Sequence, residues 1–316
     1  DDPTAVLKAH IAMSHSLFFQ GELVAAHGHL DQCMALYDAD PQRESAVSIG
    51  AVDCRVRAHG YAAWSLWLLG HPEQALASGT AALALMQEMA NPFVSLWVWV
   101  IVASIHGWRG ELQAVREHAE AVVALAQEQG VVMCRAEGTI LRSVATVGLE
   151  NNEIHVREAA EAVAILRDSA MQGWLPYYLA LLAEIQCNAG HAEEGLRVSG
   201  EAIEFCRRRG EKWYEAEVYR LKGEMTLQSG GEYPATAVQR EAEACFEQAL
   251  EIAKKQGARS WELRASTSLS RLWRQQGKRT EARQLLAEIY NWFTEGFDTK
   301  DLQEAKALLE ELAKPA

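Results

Sequence analysis

The chain has 316 residues, 49% of them hydrophobic, and its 43 acidic against 30 basic side chains give a formal net charge of −13. An acidic surface of this kind repels phosphate backbones and argues against nucleic acid as a partner. The longest apolar run, VSLWVWVIVASI at 94–105, is interrupted by Ser95 and Ser104 and falls short of the roughly 20 residues a membrane span needs, so no membrane association is expected.

The chain opens DDPTAVLKAH, without a basic segment followed by an apolar one, and is read as cytoplasmic. Cysteines at 33, 54, 134, 187, 206 and 245 form no C-x-x-C pair. They are expected to be reduced and to serve as small apolar residues.

Strand signals are nearly absent, alanine is abundant, and apolar residues recur at helical spacing, which predicts an all-α chain. The helices fall into hairpins. In the first, FFQGELVAAHGHLDQCMALY, Gly21 marks the turn and is followed by the small residues Ala26 and Cys33. In the second, Ala63 precedes the turn glycine Gly70, His71-Pro72-Glu73 opens the next helix, and Ala75 and Ala82 follow. Only glycine sits easily in the left-handed cap that ends a helix, and the small residues mark where two helices must approach closely. Gly110 turns the third hairpin. A weaker fourth turns near Glu150–Asn152. The fifth turns at Gly190, with Gly195 and Ala202 after it. The sixth has a longer loop, Ser229–Ala237, and the seventh turns at Gly277, followed by Ala282. Finally TKDLQEAKALLEEL, at 299–312, is one amphipathic helix without a partner of its own.

A small residue, a capping glycine, then small residues five and twelve positions later resemble the tetratricopeptide repeat. The resemblance implies a right-handed superhelical solenoid of antiparallel hairpins, about seven repeats over 1–298, closed by a capping helix at 299–316. Gly21, Gly70 and Gly110 are 49 and 40 residues apart, more than the family's usual period of about 34, so longer helices and loops must absorb the excess. The stack has no comparable cap before its first hairpin, which suggests a piece of a longer protein.

In such a stack the first helix of each hairpin lines the concave face, and positions two, five, nine and twelve, counted with the turn glycine as fifteen, form one stripe. In the N-terminal half this stripe carries Phe18, Arg57, Trp64, Trp67 and Trp97; Tyr177 and Glu184 follow; then come Glu217, Arg220 and Glu224, and last Arg264, Arg271 and Arg274. The aromatic residues suit a binding hot spot, but they also suit plain packing between repeats. The three arginines fall in a basic block, 253–284, with nine Lys or Arg against two Glu. They could clamp a partner's carboxylate or phosphate, or pair with Glu217 and Glu224 in a salt-bridge lattice. His27-x-His29 does not read as a metal site, because residues two apart on a helix point to different sides. No catalytic constellation and no cofactor are expected.

The C-terminal third supports a narrower resemblance. YRLKGE at 219–224 and the run from Ala242 to Leu312, including SWELRA and WFTEGFDT, are similar to the C-terminal repeat region of large bacterial signalling ATPases, some with a class III adenylate or guanylate cyclase domain. The resemblance implies a non-catalytic interaction module that regulates a neighbouring domain. Its partner would be a protein or peptide, another domain of the same parent chain included. The Walker motif G-x-x-x-x-G-K-[ST] does not occur in the sequence. An alternative is a small-molecule inducer sensor of a transcription-activator ATPase. Self-association through the repeat edge is a third reading.

Overall fold

The structure is a computed structural model that describes residues 3–39, 48–49, 52–150, 153–169, 172–229 and 235–314. Seven hairpins follow one another. They are α1 (Pro3–Phe19) with α2 (Leu23–Asp38), α3 (Cys54–Leu69) with α4 (Pro72–Met89), α5 (Pro92–Arg109) with α6 (Leu112–Glu128), and α7 (Val132–Glu150) with α8 (Glu153–Arg167). Then come α9 (Leu175–Asn188) with α10 (Ala192–Arg209), α11 (Glu215–Ser229) with α12 (Ala235–Gln256), and α13 (Arg259–Gln275) with α14 (Arg279–Tyr290). Helix α15 (Lys300–Ala313) packs on α13 and α14. A two-residue antiparallel pair, Ser48–Ile49 with Val52–Asp53, precedes α3.

The helices start and stop where local chemistry directs. Asp53 and Asn91 accept the N–H groups of Arg55 and Phe93 at 2.7 and 3.0 Å, satisfying donors that a helix N-terminus leaves free. Pro72 and Pro92 open α4 and α5, where a missing N–H costs nothing. The small residues picked out by the repeat pattern lie at helix contacts: Ala26, Cys33, Ala63, Ala75, Ala82, Ala202 and Ala282 are all fully buried. At Gly195 an added Cβ would stand 3.0 Å from the Ala183 carbonyl oxygen, a tight contact that a larger residue would meet only by shifting the neighbouring helix. The sixth-hairpin loop is shorter than the sequence suggests, because Ala235–Ala237 already belong to α12. The fourth turn falls partly on 151–152, outside the described residues.

From the second hairpin on, the first helix is the more buried of its pair: twelve of the fourteen residues of α9 are buried, against five of the eighteen in α10. The superhelix also comes round on itself, which a nearest-neighbour stack does not require. The turns of the first three hairpins rest on segments from the last third of the chain. Lys212 donates its backbone N–H to the Phe19 carbonyl at 2.7 Å. The Ser260 hydroxyl donates to the Trp67 carbonyl at 2.5 Å. The Gly296 N–H donates to the Glu73 carboxylate at 3.0 Å, while Glu295 accepts the Glu73 N–H at 3.0 Å. Arg109, buried, reaches Asp298 at 2.6 Å. Gly70 and Gly110 therefore serve twice. Each holds a positive φ, +92° and +86°, and at each a Cβ would collide with the opposing segment, at 2.6 Å from Trp292 and 2.7 Å from Lys300. At Gly190 and Gly277, elsewhere in the stack, an added Cβ would meet nothing within 4 Å.

Candidate functional site

Closure fills part of the concave face with aromatic rings. Phe18 and Trp64 are 1% and 4% exposed, and they meet Trp213 and Trp174 at centroid distances of 5.0 and 4.4 Å. Trp174 lies 5.3 Å from Trp213, and Trp67 lies 6.0 Å from Trp108, which in turn stands 5.8 Å from Trp261. The late turns of α1, α3 and α5 thus lock onto the residues that open α9, α11 and α13. Among the described residues the indole N–H groups of Trp64, Trp67, Trp108 and Trp213 are buried without a hydrogen-bond acceptor. The structure places Phe18, Trp64 and Trp67 inside this column, where they hold the superhelix together. Trp97 lies apart, 5.8 Å from Tyr61, with the Arg57 guanidinium 5.6 Å from its ring.

Below the column a cavity of about 360 Å³ remains open. Its walls come from α5, α7, α9, α11, α13 and α15 together with the start of α6. Trp108, Tyr177 and Tyr214 form its aromatic end, and Tyr177 donates its hydroxyl to Ser104 at 3.1 Å. The predicted stripe positions Tyr177, Glu184, Arg220, Glu224, Arg264 and Arg271 all face this one space. Helical spacing of three and four residues put them on one side of their helices, and the superhelix then brought those sides together.

The charges are mostly engaged with one another. Arg264 donates to Asp301 at 2.7 Å, to Glu217 at 2.9 Å and to the Trp108 carbonyl at 3.1 Å, and it lies 5.0 Å over the Trp261 ring. Arg220 makes a two-pronged contact with Glu217, both prongs 2.8 Å, and reaches Glu224 at 3.5 Å. Glu224 also accepts the Ser268 hydroxyl at 2.5 Å. Burial alone would push the Glu217 carboxyl up, but Arg220 and Arg264 hold it below the usual range. Arg271 is bound to Glu304 at 2.6 Å, and Arg274 is bound to Glu311. The stripe arginines of α13, Arg264, Arg271 and Arg274, therefore run alongside three acids of α15, Asp301, Glu304 and Glu311, and the carboxylates they grip are the chain's own.

Glu184 differs. It makes no hydrogen bond and no ion pair among the described residues, although Arg220, Arg264 and Lys300 lie within electrostatic reach. Burial raises its carboxyl above the ordinary range, Arg220 opposes that rise, and Glu217 adds to it.

Stripe spacing alone located Tyr177, Glu184 and the charged wall. It missed Trp108, Trp174, Trp213, Tyr214 and Trp261. A partial signal for these was present: Trp174, Trp213, Tyr214 and Trp261 stand within three residues of the start of an inner helix, and Trp108 stands at the end of one. The histidines of the first hairpin point apart, His27 to Ser65 at 3.0 Å and His29 to His10 at 2.9 Å. Five of the six cysteines are buried and Cys134 is partly so, and all are free thiols. Among the described residues no helix is long and apolar enough to cross a membrane.

Antiparallel hairpins with small-residue contacts and left-handed turn glycines, wound into one superhelix, define a tetratricopeptide-type helical-repeat solenoid. Comparison with solved structures gives the same fold. The Rap conjugation gene regulator of the plasmid pLS20, in complex with the Phr* peptide, matches 96% of this chain and 73% of its own with a TM-score of 0.63 at 12% identity. A Rap protein complexed with Competence and Sporulation Factor matches 98% of this chain and 80% of its own, with a TM-score of 0.61 at 14% identity. A tetratricopeptide repeat protein from Parabacteroides merdae ATCC 43184 covers 98% of this chain and all of its own, with a TM-score of 0.50 at 14% identity. In sequence, the chain is 24% identical over 242 residues, 76% of its length, to an uncharacterised protein of Rhizobium meliloti (strain 1021), and it spans 23% of that relative's length. No family model matches the chain.

Proposed function

We propose that this chain is a regulatory binding module that takes a short peptide or peptide-like segment in the cavity inside its superhelix. One observation carries the reading. The stripe positions of α9, α11 and α13 converge with α5 and α15 on one polar and aromatic-walled space. A pocket of this make-up, mostly preformed and with a few directed polar groups, is what ligand recognition requires. The pLS20 Rap regulator, solved with a peptide, supports a peptide as the ligand class. The similarity of the C-terminal third to signalling-ATPase repeat regions, and the far greater length of the Rhizobium meliloti relative, support a place within a longer bacterial signalling protein. There the bound segment would report to a neighbouring ATPase or cyclase domain in the cytoplasm.

A small-molecule inducer is the second reading, favoured by the volume of about 360 Å³, which lies near the lower end of ligand pockets. A thermal-shift screen separates the two. Random hexapeptide pools are tested beside a metabolite panel, since a ligand that binds only the folded state raises the melting temperature. Stabilisation by peptide pools and not by metabolites supports the first reading. The reverse result supports the second, and no shift from either set refutes both.

A further inference from the structure

We infer that the cavity selects a ligand bearing a cationic group, guanidinium or ammonium, and that Glu184 is the residue that receives it. The inference deepens the binding reading above and rests on it only for the statement that the cavity is a ligand site.

The argument is a charge balance. Four cations stand on the cavity wall, Arg220, Arg264, Arg271 and Lys300. Each has a carboxylate of this chain beside it, the loosest being Lys300 at 3.9 Å from Glu304. On the wall and directly behind it there are five carboxylates, and four of them are taken up by those cations. The surplus negative charge is Glu184. It faces this space from a half-buried position, and burial raises its proton affinity. An unpaired carboxylate held in such a place is costly to the fold, and a bound cation removes that cost.

The rest of the wall fits the same ligand. Trp108, Tyr177 and Tyr214 stand at one end of the cavity, and the faces of aromatic rings attract cations. An anionic ligand would have to break existing pairs: Arg264 and Arg220 are already held by two carboxylates each. A cation displaces nothing.

The test uses the whole chain and its Glu184→Gln variant. The small probes are n-propylguanidine, n-propylammonium and the neutral isostere n-propylurea, followed by intrinsic tryptophan fluorescence and by melting temperature. The second arm is a positional-scanning library of acetylated, amidated hexapeptides. In the native chain the two cationic probes should saturate, and n-propylurea should not. Glu184→Gln should weaken the cationic probes at least tenfold while melting no lower than the native chain, because it removes an unpaired buried charge. The guanidinium and ammonium arms tell an arginine-like group from a lysine-like or terminal amine. Peptides that bind with no preference for Arg or Lys, and equally well to Glu184→Gln, would overturn the inference and leave the peptide reading standing. Saturation by n-propylguanidine with no peptide binding would sustain the inference and move the site to small molecules. No saturation by either cationic probe overturns it.

Discussion

Arg264 ties four elements together, and its removal is the sharpest test of how the cavity wall is built. It links α13 to α15 through Asp301, to α11 through Glu217 and to the end of α5 through the Trp108 carbonyl. Its side chain is 16% exposed, as is that of Asp301, while Glu217 is 2% exposed. In Arg264→Met, Glu217 keeps Arg220, so the group left without a partner is Asp301. A hydrogen bond to a charged group contributes roughly 1.5–3 kcal/mol, and orphaning one member of a buried pair costs about 3–5 kcal/mol. Because Glu217 retains one of its two cations, the lower part of that range applies, about 3 kcal/mol. Urea unfolding followed by tryptophan fluorescence reads this directly, since Trp108 and Trp261 both touch the arginine. Adding Asp301→Leu to Arg264→Met should recover at least half of the loss by removing the stranded charge. A loss under about 1 kcal/mol, or a double variant no more stable than the single one, would refute the account and show that water screens this cluster.

Three further outcomes follow from the same structure. Burial pushes the Glu137 carboxyl up to about 7 against hydrogen bonds from Tyr178 and Cys134, and it pushes Glu211 up to about 7 against Arg209. With folded values above the unfolded one, their contribution to stability is complete below about pH 4.5 and is lost as pH rises through 7, at most about 3 kcal/mol for Glu137. The melting temperature should therefore fall between pH 5 and 8, and a Glu137→Gln, Glu211→Gln chain should show a flatter profile. Gly296→Ala should cost more than 2 kcal/mol in denaturant unfolding, because its φ is +75° and an added Cβ would lie 2.0 Å from Pro72. The control Gly277→Ala, at φ +81° in open space, should cost only the roughly 1 kcal/mol of a left-handed residue. Trp64→Ala should cost about 3–5 kcal/mol as a large buried ring is deleted. If Trp64→Ala instead left stability intact while abolishing binding, the aromatic column would be a ligand surface and not a core.

The sequence carried the hairpins because their determinants are local. Gly70 needs only its own φ and its helix end to declare itself, and Ala75 needs only the partner helix of its own hairpin. The stripe rule, also local, gathered Tyr177, Glu184, Arg220 and Arg264 onto one face. What it could not carry is which stripe residues would face water. Phe18 and Trp64 obey the same spacing as Glu184, yet they are covered by Trp174 and Trp213, more than a hundred residues away in the chain. Covering them depends on the per-repeat rotation, summed over several hairpins until the ends meet. A small change in that angle would leave the rings exposed, and no motif encodes it. The basic block misleads for the same reason: Arg264, Arg271 and Arg274 look available until α15 is laid beside them.

The contact between Glu73 and Gly296 also bears on how the chain folds. Hairpins that touch only their neighbours can form in any order and extend one by one, at little loop entropy for each addition. A bond across 223 residues of sequence cannot form until nearly every hairpin between is in place. Refolding should thus show a fast rise in helicity followed by a slower step in which tryptophan fluorescence changes as the column assembles. The slow step belongs to the meeting of the two ends, and Gly296→Ala, which obstructs that meeting, should retard it while leaving the fast rise untouched.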